Sequence, residues 1–307
     1  MKADEPPREA LRWVAEAVGR GATIQAIHPL AGATSSTLHS LEVAYRGRSL
    51  KLVLRRFTNE EWLGEEPGLA AHEAANLKKV AAAAVATPEL IAYDETGERC
   101  GCGVPAILMT QLPGSVELMP ADFDNWLYRM AEVLIPIHAL EADTYPWRYA
   151  PYNDIARLAV PAWSEVPGLW AKAIEIVAGP RPPTRQCFIH RDYHPNNILW
   201  QAERISGVVD WPNACRGAAN IDVAWCRGNL AGLYGVAAAD RFLDFYRSLA
   251  GPSFDYHPYW DLIVAIEILP GPPDVYSGWT AYGVRHLTDD IVRQHGEEYL
   301  VSLMARL

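Results

Sequence analysis

No stretch of the 307-residue chain approaches the ~20 consecutive apolar residues that a membrane-spanning helix needs, so an integral helical span is excluded. The amino-terminal MKADEPPREA is charged and carries two prolines. It lacks the apolar core of a signal peptide, and the expectation is a cytoplasmic protein without a membrane partner. Basic residues are outnumbered, 27 Lys and Arg against 37 Asp and Glu, for a net charge of −10. Such a chain repels phosphate backbones, so no nucleic-acid partner is expected, whereas a cationic small molecule would be favoured. Cysteine is sparse: Cys100, Cys102, Cys187, Cys215 and Cys226 are odd in number and scattered. Only the first two are close, and no second half of a zinc pattern accompanies them. Free thiols in a reducing compartment are the simpler account. Internal repeats are absent as well, and the only low-complexity run is a short alanine stretch at residues 81–84.

What is present is an ordinary globular composition, 50% hydrophobic and 21% charged, on a chain long enough for two domains. Residues 7–18 have helical spacing, with Leu11, Val14 and Val18 on one face. Three strand-like runs follow, the last being RSLKLVLRRF. Its alternation sets Lys51, Val53 and Arg55 on one side and Leu50, Leu52 and Leu54 on the other. The step at residues 46–48 reads as a hairpin tip. A helix is expected over residues 68–84, and strands return up to ILMTQLPG. Five strands with a helix after the third predict a compact α+β unit at residues 1–112. Residues 113–307 are mainly helical, in NWLYRMAEVLIPIHAL, VPGLWAKAIEIVAG, ADRFLDFYRSLA and YWDLIVAIEIL, with short strands at NILW and SGVVDW.

The densest polar stretch is FIHRDYHPNNILW, residues 188–200. Its histidines lack a further ligand at helical or hairpin spacing, which weakens a histidine metal site. Asp192 and Asn197 carry more. A loop feeding the hairpin NILW–SGVVDW would bring them to the end of the strand that closes on Asp210. A carboxylate and an amide oxygen suit Mg²⁺, a hard cation that keeps several waters. A second carboxylate outside that shell could take a proton from a hydroxyl nucleophile.

HRDYHPNNIL resembles the catalytic loop of the aminoglycoside phosphotransferase and choline kinase-like family of small-molecule kinases. VVDWPNACRG is similar to the family's metal-binding segment, and NIDVAW to the segment that braces the loop through Asp222. The resemblance implies a two-lobed protein-kinase-like fold, with a nucleotide-binding lobe at 1–112 and a catalytic, substrate-binding lobe at 113–307. It implies that Asp192 is the catalytic base and that Asn197 and Asp210 bind Mg²⁺ on ATP or GTP. Leu199 would form the floor under the base of the nucleotide. Arg55 stands where protein kinases have a strand lysine, and Glu73 in AHEAANL is the matching partner. Lys51 is a poor substitute, since four residues along a strand span about 13 Å. Read from residue type alone, Arg55 and Glu73 are two surface charges. LAGATSSTLHSL resembles the nucleotide-covering loop: Gly32 allows a tight turn, and Ser35 and Ser36 can face phosphates, although no G-x-G-x-x-G is present. Val53, Met109, Gln111 and Leu112 would line the nucleotide pocket.

The acceptor side is expected in the carboxy-terminal part, with Asp154, Asp261 and Glu267 as candidates and Trp163, Trp260, Tyr276 and Trp279 near them in sequence. The function implied is phosphoryl transfer to a hydroxyl of a small molecule, by a monomer or homodimer. The acceptor could be an aminoglycoside or another antibiotic, in which case the role is antibiotic resistance, or a sugar or amino alcohol of metabolism. A nucleotide-binding pseudokinase is the second class. A protein kinase is disfavoured, since Asp210-Trp211-Pro212 replaces Asp-Phe-Gly and no Ala-Pro-Glu segment follows.

Overall fold

The computed structural model describes residues 5–30, 36–269 and 271–307. The chain divides into two compact units, Met1–Gly114 with Ser206–Asn213, and Ser115–Ile205 with Ala214–Leu307. The short return of Ser206–Asn213 to the first unit differs from a single cut near residue 112, and it brings Asp210 into the same unit as Arg55.

The first unit comprises α1 (Arg8–Val18), β1 (Thr23–Pro29), β2 (Thr37–Tyr45), β3 (Arg48–Arg56), α2 (Glu60–Glu65), α3 (Leu69–Val80), β4 (Leu90–Asp94) and β5 (Ala106–Thr110). The five strands form one antiparallel sheet in the order β1-β2-β3-β5-β4. The β2–β3 hairpin turns at Arg46 and Gly47, whose φ values of 49° and 74° are both left-handed, matching the twist of a tight hairpin. Alternation along β3 works as expected. Leu52 and Leu54 enter a core with Ala10, Trp13 and Val14 of α1, while Arg55 lies on the other face.

Two local expectations are corrected. The helix expected over 68–84 ends at Val80, and the alanine run beyond it forms turns. Tertiary pairing overrides the propensity of alanine here, because Ala86 O accepts the Val208 N–H at 3.0 Å. The helix α2 was not expected. Asn59 caps it by accepting the Trp62 N–H at 3.0 Å, and Glu60 and Glu61 fill the first turn.

The second unit is mainly helical: α4 (Phe123–His138), α5 (Pro167–Ala178), α6 (Ala219–Tyr234), α7 (Val236–Ala250), α8 (Tyr259–Ala265), α9 (Ser277–Ala281) and α10 (Asp289–Met304). Its strands are β6 (Ser115–Val116), β7 (Gln186–Ile189), β8 (Ile198–Gln201) and β10 (Cys215–Ala218), and β9 (Arg204–Val208) begins in it. β7 pairs with β10 and β6 with β8, both antiparallel. The long α6 escaped the sequence reading because it is buried nearly all round, from Asn220 through Arg227 to Leu233, and so shows no single apolar stripe. Its charged members are matched internally: Arg227 lies 2.8 Å from Asp240 and 2.6 Å from Asp261. Among the described residues no helix is long and apolar enough to cross a membrane.

Candidate active site

The loop after β7 is shaped by one buried carboxylate. Asp222, in the first turn of α6 and fully buried, accepts the N–H of His190 at 2.8 Å and of Arg191 at 2.7 Å. His138 Nε2 stands 3.0 Å from the same carboxylate, and its Nδ1 lies 2.7 Å from the Tyr246 hydroxyl. Arg191 is thereby held at φ 69°, a backbone region that a bulky residue rarely adopts and that folded proteins keep where the surroundings enforce it. Tyr193 points the opposite way, into the core, and donates to Met130 O at 2.7 Å.

Asp192 follows directly. Asn197 donates its amide nitrogen to Asp192 O at 2.8 Å, with the Asp192 carboxylate at 3.4 Å. The Pro195–Asn197 turn of 3-10 helix fixes the asparagine in that position. His190 is fully buried beneath the loop. His194 lies 3.6 Å from the Asp192 carboxylate through Nε2 and edge-on to Tyr276. Among the described residues no group of three or more His, Cys, Asp and Glu side chains could hold a metal ion.

A second polar cluster sits in the first unit. Arg55, 5% exposed, reaches Glu73 of α3 at 2.8 Å and Asp210 at 2.5 Å with its two terminal nitrogens. Burial pulls the guanidinium toward losing its proton, but the Glu73 and Asp210 carboxylates outweigh it and it titrates above its ordinary range. Burial dominates at Glu73 and raises its carboxyl, against the pull of Arg55. Asp210, at φ 69°, is likewise a non-glycine residue in the left-handed region. One turn along α3 from Glu73, Asn76 donates to Trp211 O at 2.7 Å, and the Trp211 indole N–H donates to Val208 O at 2.9 Å. Asn76 was not singled out from the sequence, since nothing in AHEAANL distinguishes a solvated asparagine from a fully buried one.

The other nucleotide candidates fall as follows. Val53 is paired in register with Met109, which is 6% exposed. The N–H groups of Thr110 and Gln111 are engaged in the sheet, to Glu89 O and Lys51 O, each at 2.9 Å. The Gln111 side chain accepts the Ser40 hydroxyl at 2.6 Å. Leu112 is next in the chain, and its side chain occupies the space that a Cβ on Gly207 would need. Leu199 is half-buried on β8, opposite Val116. Ser36 is half-buried just before β2, whereas Gly32 and Ser35 lie outside the described residues.

The three acceptor candidates have distinct surroundings. Asp154 caps a short turn through the Ala156 N–H and lies 3.3 Å from Arg157, with 60% of its side chain exposed. Asp261 is 1% exposed and bound to Arg227 and to the Tyr299 hydroxyl at 2.6 Å, so it is an internal partner and not an open acceptor group. Glu267 accepts the N–H of Tyr152 at 3.0 Å and of Asn153 at 3.1 Å. Burial lifts its carboxyl to about 7, against those two N–H groups and Arg191. Trp260 and Trp279 are buried core residues, while Trp163 packs edge-on to Trp170.

Within its own unit, Asn197 has its nitrogen committed to Asp192 and leaves its amide oxygen as a donor of the kind that Mg²⁺ takes. Within the first unit, Asp210 carries a carboxylate, a donor of the same kind, on which Arg55 lies at 2.5 Å.

The profile of the phosphotransferase enzyme family matches residues 7–261. None of the curated proteins compared with the chain matches it. Among solved structures, the chain is similar to a protein of Ralstonia eutropha JMP134 provisionally assigned as an aminoglycoside phosphotransferase, at 15% identity and a TM-score of 0.66, covering 99% of this chain and 100% of that one. It is similar to macrolide 2'-phosphotransferase MphH of Brachybacterium faecium, at 15% identity and TM-score 0.54, over 82% and 88% of the two chains. A thermostable mutant of aminoglycoside phosphotransferase APH(4)-Ia, in a ternary complex with AMP-PNP and hygromycin B, is 17% identical with a TM-score of 0.59, over 96% and 99%.

Proposed function

Because the chain belongs to the phosphotransferase enzyme family, we propose that it moves the γ-phosphoryl group of ATP or GTP to a hydroxyl of a small molecule. Residues 1–112 would bind the nucleotide, residues 113–307 would bind the acceptor, and the enzyme would work in the cytoplasm. Asp192 takes the hydroxyl proton as the acceptor oxygen forms its bond to phosphorus. The bond between that phosphorus and the bridging oxygen breaks, and the nucleoside diphosphate leaves. Asn197 and Asp210 would hold Mg²⁺, which would supply positive charge to offset that on the phosphoryl oxygens. Arg55 grips phosphate oxygens with a planar two-pronged donor where a lysine would give a point charge. Ser36 would meet the phosphates, and Val53, Met109 and Leu112 would line the base.

The observation that carries this reading is the clamp of Asn197 on Asp192, which orients a carboxylate and an amide oxygen together. One observation favours a second reading, a nucleotide-binding regulator without turnover: Arg55 lies on the Asp210 carboxylate, where a guanidinium competes with a cation. A mass-spectrometric screen for phosphate gain, over hydroxylated antibiotics and metabolites with ATP and GTP run separately, decides between them. Transfer that falls about a thousandfold in Asp192→Asn supports the enzyme. Nucleotide-dependent stabilisation without transfer to any acceptor supports the regulator.

A further inference from the structure

The surroundings of Asp192 within its own unit are not those of a receptor for a polycation. The guanidinium of Arg191, the neighbour of Asp192 in the chain, lies 4.1 Å from the centre of the Tyr152 ring and 5.8 Å from that of Tyr149. Arg181 lies over the other ring, 5.8 Å from the centre of Tyr149. Two cations are thus layered on two tyrosines beside the candidate base, a stacking that suits guanidinium groups. Of the acids expected to receive positive charge, Glu267 faces Arg191, but burial raises its carboxyl to about 7, so it offsets this layer only in part. Asp261 is bound to Arg227 inside the helical unit, and Asp154 is a solvated turn cap. Glu267 is a loop anchor for Tyr152 and Asn153.

Two donors in this layer have no partner among the described residues, the buried Arg191 Nε and the buried Tyr149 hydroxyl. Buried donors without partners cost free energy unless a ligand or water satisfies them, and both call for oxygen acceptors. Tyr152 keeps 49% of its surface exposed and offers an aromatic edge beside them. The Asp192 charge reaches this tyrosine: desolvation comes first in raising its hydroxyl, Arg191 opposes it, and Asp192 adds to the rise.

From this layer we infer that the acceptor is a hydroxyl compound bearing a carboxylate and a flat apolar face, held by Arg191 and Arg181 against Tyr152, and not a polycationic aminoglycoside. The inference rests on the proposed phosphotransfer only in taking the neighbourhood of Asp192 as the acceptor side.

The test uses three probes in the presence of Mg²⁺ and AMP-PNP: phenyl β-glucuronide, phenyl β-glucoside, which has the same ring without the charge, and hygromycin B. Tryptophan fluorescence titration reads binding to the wild type, Arg191→Gln and Arg181→Gln. Arg181 is exposed, so its variant remains informative should Arg191→Gln fold poorly. The expected result is glucuronide binding at least tenfold tighter than glucoside, with the preference reduced in both variants. Tighter binding of hygromycin B, no binding of the glucuronide, or an unchanged preference in the variants would overturn the inference. Phosphate gain is measured separately with ATP and GTP. Preferential glucuronide binding without phosphate gain by any acceptor leaves the carboxylate site standing and removes the proposed transfer.

Discussion

Arg55 Nη2 stands 2.5 Å from Asp210 Oδ1, and the same guanidinium reaches Glu73 with its other terminal nitrogen. One planar group therefore ties strand β3 to helix α3 and to the segment after β9. A lysine ammonium presents its donors from one point and lacks the planar fork that reaches both carboxylates at once. Arg55→Lys should weaken nucleotide binding about tenfold, which is 1.4 kcal/mol. Arg55→Met leaves Glu73 and Asp210 close together and should destabilise the fold by roughly 3 kcal/mol, eased where Glu73 takes up a proton. Urea denaturation and nucleotide titration check both, and wild-type behaviour of Arg55→Met in denaturant would show that the ion pairs contribute little.

The buried Asp222 should control the loop that carries Asp192. Asp222→Ala strands the N–H groups of His190 and Arg191, and His138 loses a partner. Each buried unsatisfied group costs about 1–3 kcal/mol, so a large fall in melting temperature is expected. Asp222→Asn keeps one acceptor oxygen and should fall between. The turnover number should drop in Asp222→Asn more than nucleotide affinity does, because the enforced φ of Arg191 positions the next residue. Equal losses in the two quantities would point to general unfolding instead.

These two clusters differ in how far the sequence reveals them. The Arg55–Glu73 pair was accessible through the resemblance to kinase-like enzymes: alternation gave Arg55 a face of β3, but residue type alone reads the two as surface charges. The polar residues of HRDYHPNN stood out because they interrupt an apolar setting. Asn76, His138 and Arg227 were not accessible. Their partners Trp211, Asp222 and Asp261 are far along the chain, and a buried polar side chain looks like a surface one until the packing is known. The same limit explains Asp261, which reads as a free acid in the sequence and is an internal partner in the fold.

Asn76 supplies a prediction of its own. It joins α3 to the Trp211 carbonyl, in the segment directly after Asp210. Asn76→Leu replaces a buried donor with an apolar group of similar size and leaves the Trp211 and Pro212 carbonyls without it. A loss of about 1–3 kcal/mol is expected, and faster amide hydrogen exchange should be confined to residues near 210–213. Exchange spread evenly over the first unit would argue that Asn76 only fills space.

The Glu267 carboxyl gives a pH dependence with a definite sign. Its folded-state value of about 7 lies above the ordinary 4.5, chiefly through burial, with the Tyr152 and Asn153 N–H groups and then Arg191 pulling it down. The folded chain holds a proton that the unfolded chain has released between those two values. Its contribution is therefore complete below about 4.5, declines as pH rises toward 7, and is lost above it. Glu267→Gln cannot titrate, and its one amide oxygen replaces two carboxylate oxygens on Tyr152 and Asn153. The variant should be less stable than the wild type at pH 5 and closer to it at pH 8. Melting temperatures of both proteins at pH 5, 6, 7 and 8 measure this difference, and parallel curves would remove Glu267 as its source.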